Sequence, residues 1–292
     1  MENMFEDKFS KSIAAVGRIS YMNVAPVYYG LDNGLKPSWL KLVNGPPAVL
    51  NQMMAKGDLD ISPVSSAAYA RHQDEWLLLP DLSISCFGNV LSVLLVSRYP
   101  FDALDNKKVL LTDESATSAD LLKLLFASKN IRPVFETARI KTPADFHEKA
   151  GAALVIGDPA LASHWDRHVD HVWDLGDMWH SLTNLPFVFA LWAVRKSFAE
   201  KRPDVVSSVI HCFAVSKNEG KLNIDKIAKS ASQRLGLDIE TSGKYYDLLH
   251  YDLGTFQIKG LEAFFEGLYR EKIISEKVDL SFFEDQEKTY AA

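Results

Sequence analysis

The chain has 292 residues, enough for one large or two medium domains, with 47% apolar and 24% charged residues in ordinary globular proportion. Its formal charge of −6, with no run of five basic residues, argues against a nucleic-acid partner. Two cysteines, Cys86 and Cys212, rule out a disulfide scaffold and favour a reducing compartment. Residues 1–12 mix both charge signs without an apolar run, unlike a secretory signal. The longest apolar run, 187–194, falls far short of the roughly 18 residues a membrane span needs, so a cytoplasmic protein without membrane contact is expected.

Residues 13–21 read as a first strand that runs through Arg18-Ile-Ser-Tyr-Met-Asn-Val-Ala-Pro26 into a turn and the short helix 24–31. Pro26 suits a first helical turn, where its missing N–H is not needed. Asn23 just before it either caps that helix or faces a ligand. A Gly30/Asn33-Gly34 turn leads to strand 40–43. Pro46-Pro47 opens a helix through Met54 with Gly57 at its end, and strand 59–64 runs into Ser65-Ser66, which cap a helix to His72. This order implies a parallel sheet with right-handed crossovers.

Residues 90–97 form an apolar strand broken by Ser92, which faces either a satisfied hydrogen bond or a ligand. Strand 107–111 leads through Thr112-Asp-Glu-Ser-Ala-Thr-Ser118 into helix 119–128, where Thr117 and Asp120 have capping-box spacing. A strand at 134–135, a short helix at 143–150, a strand at 152–156 and a helix after Gly157-Asp158-Pro159 to about His168 follow. The segment 175–186 is rich in turn formers; Trp179, Thr183 and Asn184 either close over a ligand or, for Trp179, pack the second lobe. Strand 187–194 precedes helices at 203–217, 221–235, 240–249 and 259–271, and the tail after Glu284 is expected to fray. Without a floppy linker, the crossings between two lobes are expected in strands, at 94–97 and 191–195. The result is a two-lobed α/β protein, with residues 1–96 plus 196–292 in lobe one, 97–195 in lobe two and the ligand cleft between them.

Four polar turns converge on that cleft: Tyr21–Asn23, Ser65-Ser66, Ser115–Ser118 (with Thr117) and Gly157-Asp158. Each follows a strand and opens a helix, offering N–H groups and a positive dipole end to an anion; each Ser or Thr is also an ordinary cap residue. His164, His168 and His171 invite a metal reading, but they are interleaved with Asp166, Arg167 and Asp170 as on a solvated face, and no metal is expected. There is no G-x-G-x-x-G, G-x-x-x-x-G-K-[ST] or G-x-S-x-G, so nucleotide binding and serine-hydrolase chemistry have no support, and no cofactor is expected. Oligomers, whose order the sequence leaves open, would use the aromatic C-terminal third through Tyr245, Tyr246, Phe264 and Phe265.

The ordered set Arg18-Ile-Ser-Tyr-x-Asn-x-x-Pro26, Gly57-Asp-Leu-Asp-Ile-Ser-Pro-Val-Ser-Ser66, Leu79-Pro-Asp-Leu-Ser-Ile-Ser85, Asn89-Val-Leu-Ser-Val-Leu-Leu-Val-Ser97, Leu111-Thr-x-x-Ser-Ala-Thr-Ser118, Ile156-Gly-Asp-Pro-Ala-Leu161 and Leu185-Pro-Phe-Val-Phe-Ala190 resembles chorismate dehydratase of the futalosine route to menaquinone, over residues 13–270. The resemblance implies a type 2 periplasmic-binding-protein-like fold. It also implies a hydro-lyase that removes water from chorismate, a dianionic small molecule, to give 3-[(1-carboxyvinyl)oxy]benzoate. By position, Asn23 and Ser92 match the family pattern and are assigned the polar contacts at the reacting ring. Asn184 stands where Gly is expected, which bears on the turn's backbone.

Elimination needs a base for the ring proton and help for the departing hydroxyl. The matching turns hold Asn, Ser, Thr and Tyr, with Asp158 the one obvious carboxylate. Either Asp158 is the base, or it caps its helix and the substrate's own enolpyruvyl carboxylate takes the proton while Asn23 stabilises charge. Two other readings remain: a non-catalytic solute-binding or sensor module for a small carboxylate, and the sister 1,4-dihydroxy-6-naphthoate synthase. The lack of a signal peptide argues against the first, and the Ser-Tyr-x-Asn-x-x-Pro turn against the second.

Overall fold

Strand β1 (Ala14–Ile19) carries the apolar run that the sequence predicts. It ends in a 3-10 turn, Met22–Val24, that delivers the chain into α1 (Ala25–Gly30) with Pro26 in the first turn. The computed structural model describes residues 13–146 and 150–284. After a wide turn in which Gly34 takes φ 98°, β2 (Leu40–Gly45) pairs parallel with β1. Helix α2 (Pro47–Lys56) ends on Gly57 at φ 83°, whose N–H closes onto the carbonyls of Met53 and Met54. Strand β3 (Ile61–Ser65), buried throughout, lies parallel to β1 on its other side and opens α3 (Ser66–His72), capped by Ser65.

The eleven-residue strand β4 (Trp76–Cys86) has no counterpart in the expectations. Pro80-Asp81 reads as a breaker, but Asp81 takes φ 56° and the ladder absorbs the pair as register shifts. The chain then passes to a second sheet through residues 87–92. Strand β5 (Val93–Ser97) starts later than the expected residue 90, because Leu91 takes φ 60° and the Val90 and Leu91 N–H groups turn away to the Asp174 carboxylate.

The second sheet continues with β6 (Lys108–Leu111), α4 (Ala116–Ser128), β7 (Val134–Thr137), β8 (Ala152–Ile156), α5 (Asp158–Ala162), β9 (His171–Asp174) and α6 (Leu175–Thr183). The cap of α4 is Ser115, which accepts from Ser118 N, rather than Thr117. The expected helix to His168 stops at Ala162, with His164 at φ 42° and a 3-10 turn at Trp165–Arg167 beyond it. In the stretch 143–150 the described part is a 3-10 turn, Pro143–Asp145, and 147–149 lie outside the described residues, as do 1–12 and the tail after Glu284. The segment expected as turns is α6, capped by Asp174 and ended by Asn184 at φ 57°. Asn therefore meets the left-handed position where Gly was expected.

Strand β10 (Phe187–Arg195) returns to the first sheet, pairing antiparallel with β4 from Phe187 to Arg195 and with β3 from Ala190 to Val194. The first sheet runs β11-β4-β10-β3-β1-β2 and the second β7-β6-β8-β5-β9. The crossings are thus not in β5 and β10, as the sequence suggested. Each of those strands is hydrogen-bonded within a single sheet, and the chain changes sheets at 87–92 and 175–186.

The C-terminal part is helical as expected, with α7 (Lys196–Lys201), α8 (Pro203–Leu222), α9 (Ile224–Leu235) and α10 (Ile239–Leu248), then the edge strand β11 (Leu249–His250) and α11 (Thr255–Arg270). Alternation along β5 sends Leu95 into the main core and Val96 into a smaller core on the other face of the second sheet. Tyr245, Tyr246, Phe264 and Phe265 are all buried, which removes them as an oligomer surface. Helix α8 lies so close to α1 that a Cβ on Gly220 would sit 1.9 Å from the Pro26 carbonyl oxygen, and this contact fixes the segment that follows the 3-10 turn. Among the described residues no helix is long and apolar enough to cross a membrane.

Candidate functional site

The 3-10 turn after β1 is held from two directions. Met22 N donates to Asp158 Oδ1 (3.2 Å) on the second-sheet side, and Met22 O accepts from Tyr246 Oη (3.0 Å) of α10. Between these anchors, Asn23 does not cap α1. The cap position is Val24, and Asn23 Oδ1 is buried without a hydrogen-bond partner. A buried amide oxygen left unmatched costs about 1–3 kcal/mol, so its orientation needs a reason beyond folding.

That oxygen belongs to a residue lining a cavity of about 60 Å³ between the two sheets. Tyr21, Asn23, Ser65, Ser92, Ser115, Ser118 and Gly157 line it together with apolar side chains such as Ile84, Val93, Ile156 and Phe189. Residues from all four expected polar turns therefore meet at one place, although Ser66, Thr117 and Asp158 do not line it. A larger cavity, about 1030 Å³, lies between α3 and the segment after α11 and contains none of the expected site residues.

Five expected residues do other work. Ser66 Oγ donates to Val188 O (2.6 Å), tying α3 to β10. Thr117 Oγ1 accepts from Ala67 N (2.8 Å), joining the N-terminal turns of α4 and α3. Asp158 does not cap α5; its carboxylate reaches Met22 N instead. Thr183 Oγ1 donates to Trp179 O and accepts from Leu185 N, while Asn184 is the C-terminal cap of α6. Neither lines the cavity, and Trp179 is buried with its Nε1 on Pro186 O, so Trp179 packs the fold.

The lining side chains are braced from behind. Ser92 Oγ accepts from Tyr245 Oη (3.2 Å), and burial raises the Tyr245 phenol far above its ordinary pKa, so it stays a donor. Asn51 bonds both Ser65 N and Ser65 Oγ. Asp174 collects the N–H groups of Val90, Leu91, Gly176 and Asp177, which sets the segment ahead of Ser92. Burial raises the Asp174 carboxyl above its ordinary pKa despite these four bonds. Asp158 is likewise raised, by burial first, with the Met22 N–H and the Arg234 charge opposing. At the mouth, the Tyr21 phenol donates to Glu114, and burial and that carboxylate together raise its pKa. Arg139 and Lys141 stand behind Glu114.

Tyr245, Asp174, Asn51 and Glu114 were not found from the sequence. Asp174 precedes a helix that was read as turns, Glu114 lies inside a quoted motif, and Tyr245 carries no signal beyond an apolar helical position. Among the described residues no group of three or more His, Cys, Asp or Glu is arranged to hold a metal ion. The expected histidines lie apart from the cavity, His171 stacking on Trp173.

Solved structures share this architecture. Protein AF1704 from Archaeoglobus fulgidus matches with TM-score 0.73 at 19% identity, covering 89% of this chain and 98% of that one. The alkanesulfonate-binding protein SsuA from Xanthomonas axonopodis pv. citri matches with TM-score 0.67 at 14% identity, covering 92% and 96%. The fold is thus periplasmic-binding-protein-like, as expected. Among sequences, a chorismate dehydratase from Thermus thermophilus is 31% identical over 268 residues, 87% of this chain and 94% of the relative. One from Campylobacter jejuni is 31% identical over 179 residues, 60% and 64% respectively. A family model described as menaquinone biosynthesis matches residues 14–270, from the first strand through the last helix and across every cavity-lining turn, and the chain belongs to that family.

Proposed function

We propose that the chain is a chorismate dehydratase, a hydro-lyase that converts chorismate to 3-[(1-carboxyvinyl)oxy]benzoate and water on the futalosine route. The observation that carries this reading is the buried, unpartnered Asn23 Oδ1 of a residue that lines a cavity with Ser92, in a chain of this family. In the reaction, the C–H bond at the ether-bearing ring carbon breaks and its electron pair completes the aromatic ring. The neighbouring C–OH bond breaks with it, and the hydroxyl leaves as water with the abstracted proton.

The base is assigned to the substrate. Among the described residues the cavity lining holds no carboxylate and no histidine. Glu114 is engaged by Tyr21, and Asp158 by Met22 N. The enolpyruvyl carboxylate, tethered to the carbon that loses the proton, is the better-placed acceptor, and orientation of a tethered group supplies a large share of a barrier reduction. Asn23 and Ser92 then serve the charge that develops at the ring and at the departing oxygen.

About 60 Å³ holds a few waters, not a ring dicarboxylate. The lobes therefore part to admit the substrate. The bonds that join them (Tyr21 to Glu114, Met22 N to Asp158, Ala67 N to Thr117, Arg71 to Asp120) describe the closed form. Closure excludes water and brings the α4 N-terminus, with its positive dipole end, against the bound anion. Cys86 and Cys212 are buried and unbridged, in keeping with a cytoplasmic setting.

The test is to incubate purified protein with chorismate, without added metal or nucleotide, and follow the products by chromatography and mass spectrometry. Loss of one water with an aromatic product is the expected result. Chorismate that stays intact but raises the melting temperature would make the protein a binding module instead.

A further inference from the structure

A dianion has to reach a cavity whose lining carries no cation, on a protein of net charge −6 that repels it at long range. On the other side of the Ser20–Val24 turn lies a larger cavity of about 550 Å³. Ile19 and Tyr21 line both, so the two cavities adjoin at this turn.

The larger cavity is basic. Lys226, Ser230 and Arg234 stand four residues apart on α9 and so form one stripe along a single face of that helix. Arg18 also lines the cavity but is committed to Asp32 through both guanidinium nitrogens. Lys226 donates to Asn223 Oδ1 (2.7 Å) and Arg234 to the Ser20 carbonyl (3.3 Å). Among the described residues neither Lys226 nor Arg234 forms an ion pair, and Asp32, the carboxylate that also lines the cavity, is held by Arg18. The volume falls within the ordinary range of small-molecule sites. Arg234 is also close enough to the inner site to act on the Asp158 carboxyl.

We infer that this basic cavity is an antechamber, where Lys226 and Arg234 capture a small dicarboxylate before it passes Tyr21 into the inner cavity as the lobes open. The identity of that dicarboxylate as chorismate rests on the function proposed above; the capture of a dianion does not. The Tyr21–Glu114 bond is the latch between the two compartments, and the Arg234 bond to Ser20 O ties the cationic stripe to the turn that carries Tyr21.

The experiment compares wild type, K226Q/R234Q and a matched control, K129Q/K201Q, whose two lysines are exposed and line neither cavity. The kcat/KM for chorismate is measured at about 0.02 M and about 0.5 M salt, where screening differs several-fold in range. The antechamber predicts a fall of about 3–30-fold in K226Q/R234Q at low salt, less than about twofold in the control, and convergence of all three at high salt. Should R234Q disturb the turn through Ser20, the single K226E variant carries the test, with a drop at low salt again required. Equal behaviour of K226Q/R234Q and the control overturns the proposal.

Calorimetric binding of isophthalate, a ring dicarboxylate that cannot eliminate water, separates this from the dehydratase reading. If wild type leaves chorismate unchanged yet binds isophthalate, and K226Q/R234Q binds it more weakly than the control, the antechamber stands and the dehydratase falls. If chorismate is unchanged and isophthalate binding is equal in the two variants, or absent from wild type, both fall; if chorismate is dehydrated but the two variants bind isophthalate equally, only the antechamber falls.

Discussion

The Tyr245 hydroxyl donates to Ser92 Oγ across 3.2 Å, from a helix after the return strand to the segment where the chain first changes sheets. A buried phenol held in its protonated form fixes which way the Ser92 hydroxyl turns. The net worth of one such bond is about 0.5–1.5 kcal/mol, or roughly 2–13-fold in rate where it acts only on the transition state. Tyr245→Phe is expected to lower kcat by about that factor with KM nearly unchanged. Ser92→Ala is expected to cost more, and Tyr245→Phe added to Ser92→Ala to cost little further, since both act through one hydroxyl. Steady-state kinetics of the four proteins checks this; additive losses would show that Tyr245 acts elsewhere.

Asp158 gives a pH prediction with a definite sign. Burial raises its folded-state carboxyl above the ordinary 3.8. The folded chain thus holds this proton more tightly than the unfolded chain. The associated stability is fully present below 3.8 and is lost as pH rises through the folded value. Asp158→Asn keeps an oxygen for Met22 N and removes that loss. Its melting temperature relative to wild type is expected to be higher near neutral pH, with the gap closing below 3.8. Turnover is expected to stay within about tenfold of wild type, because the proposed base is the substrate's carboxylate. A variant that binds chorismate but no longer turns it over would make Asp158 the base.

Thr117 Oγ1 accepts the Ala67 N–H, joining α4 to α3, rather than capping its helix. Thr117→Val preserves shape but leaves the Ala67 N–H without its acceptor in the closed form, a cost of about 1–3 kcal/mol. A larger radius of gyration in small-angle scattering and a raised KM are expected. Unchanged scattering together with unchanged KM would count against closure through this bond.

Gly220 lies against the Pro26 carbonyl, so Gly220→Ala forces α8 away from α1. Overpacking of this kind costs about 1–3 kcal/mol, and thermal melting should fall by several degrees. A melting curve that coincides with wild type would mean that the α1–α8 contact yields freely.

The elements up to α3 were legible because each is punctuated by a local signal: Pro26, Pro47, Gly57 and Ser65 sit where caps and first turns require them. Strand β4 was hidden because Pro80-Asp81 mimics a turn, and only its pairing with β10 shows that the ladder runs on through it. Helix α6 was hidden by its own turn formers, although Asp174 before it is an ordinary cap. The site was legible as a set of polar turns but not in its roles. Ser115 and Thr117 are equivalent cap candidates in sequence; which one caps is decided by Ala67, fifty residues away in the chain, whose N–H takes Thr117. Long-range pairs of this kind, including Tyr245 with Ser92 and Met22 with Asp158, leave no local pattern to read.

The most direct test of the account is a single-turnover comparison of wild type with Asn23→Ala on chorismate, with the aromatic product quantified by mass spectrometry. Loss of one amide side chain placed at a reacting centre costs about 10²–10³-fold. Wild type is expected to form the dehydrated product, while Asn23→Ala slows by about that factor and chorismate still raises its melting temperature. Turnover by Asn23→Ala within tenfold of wild type, or chorismate left intact by wild type, would contradict it.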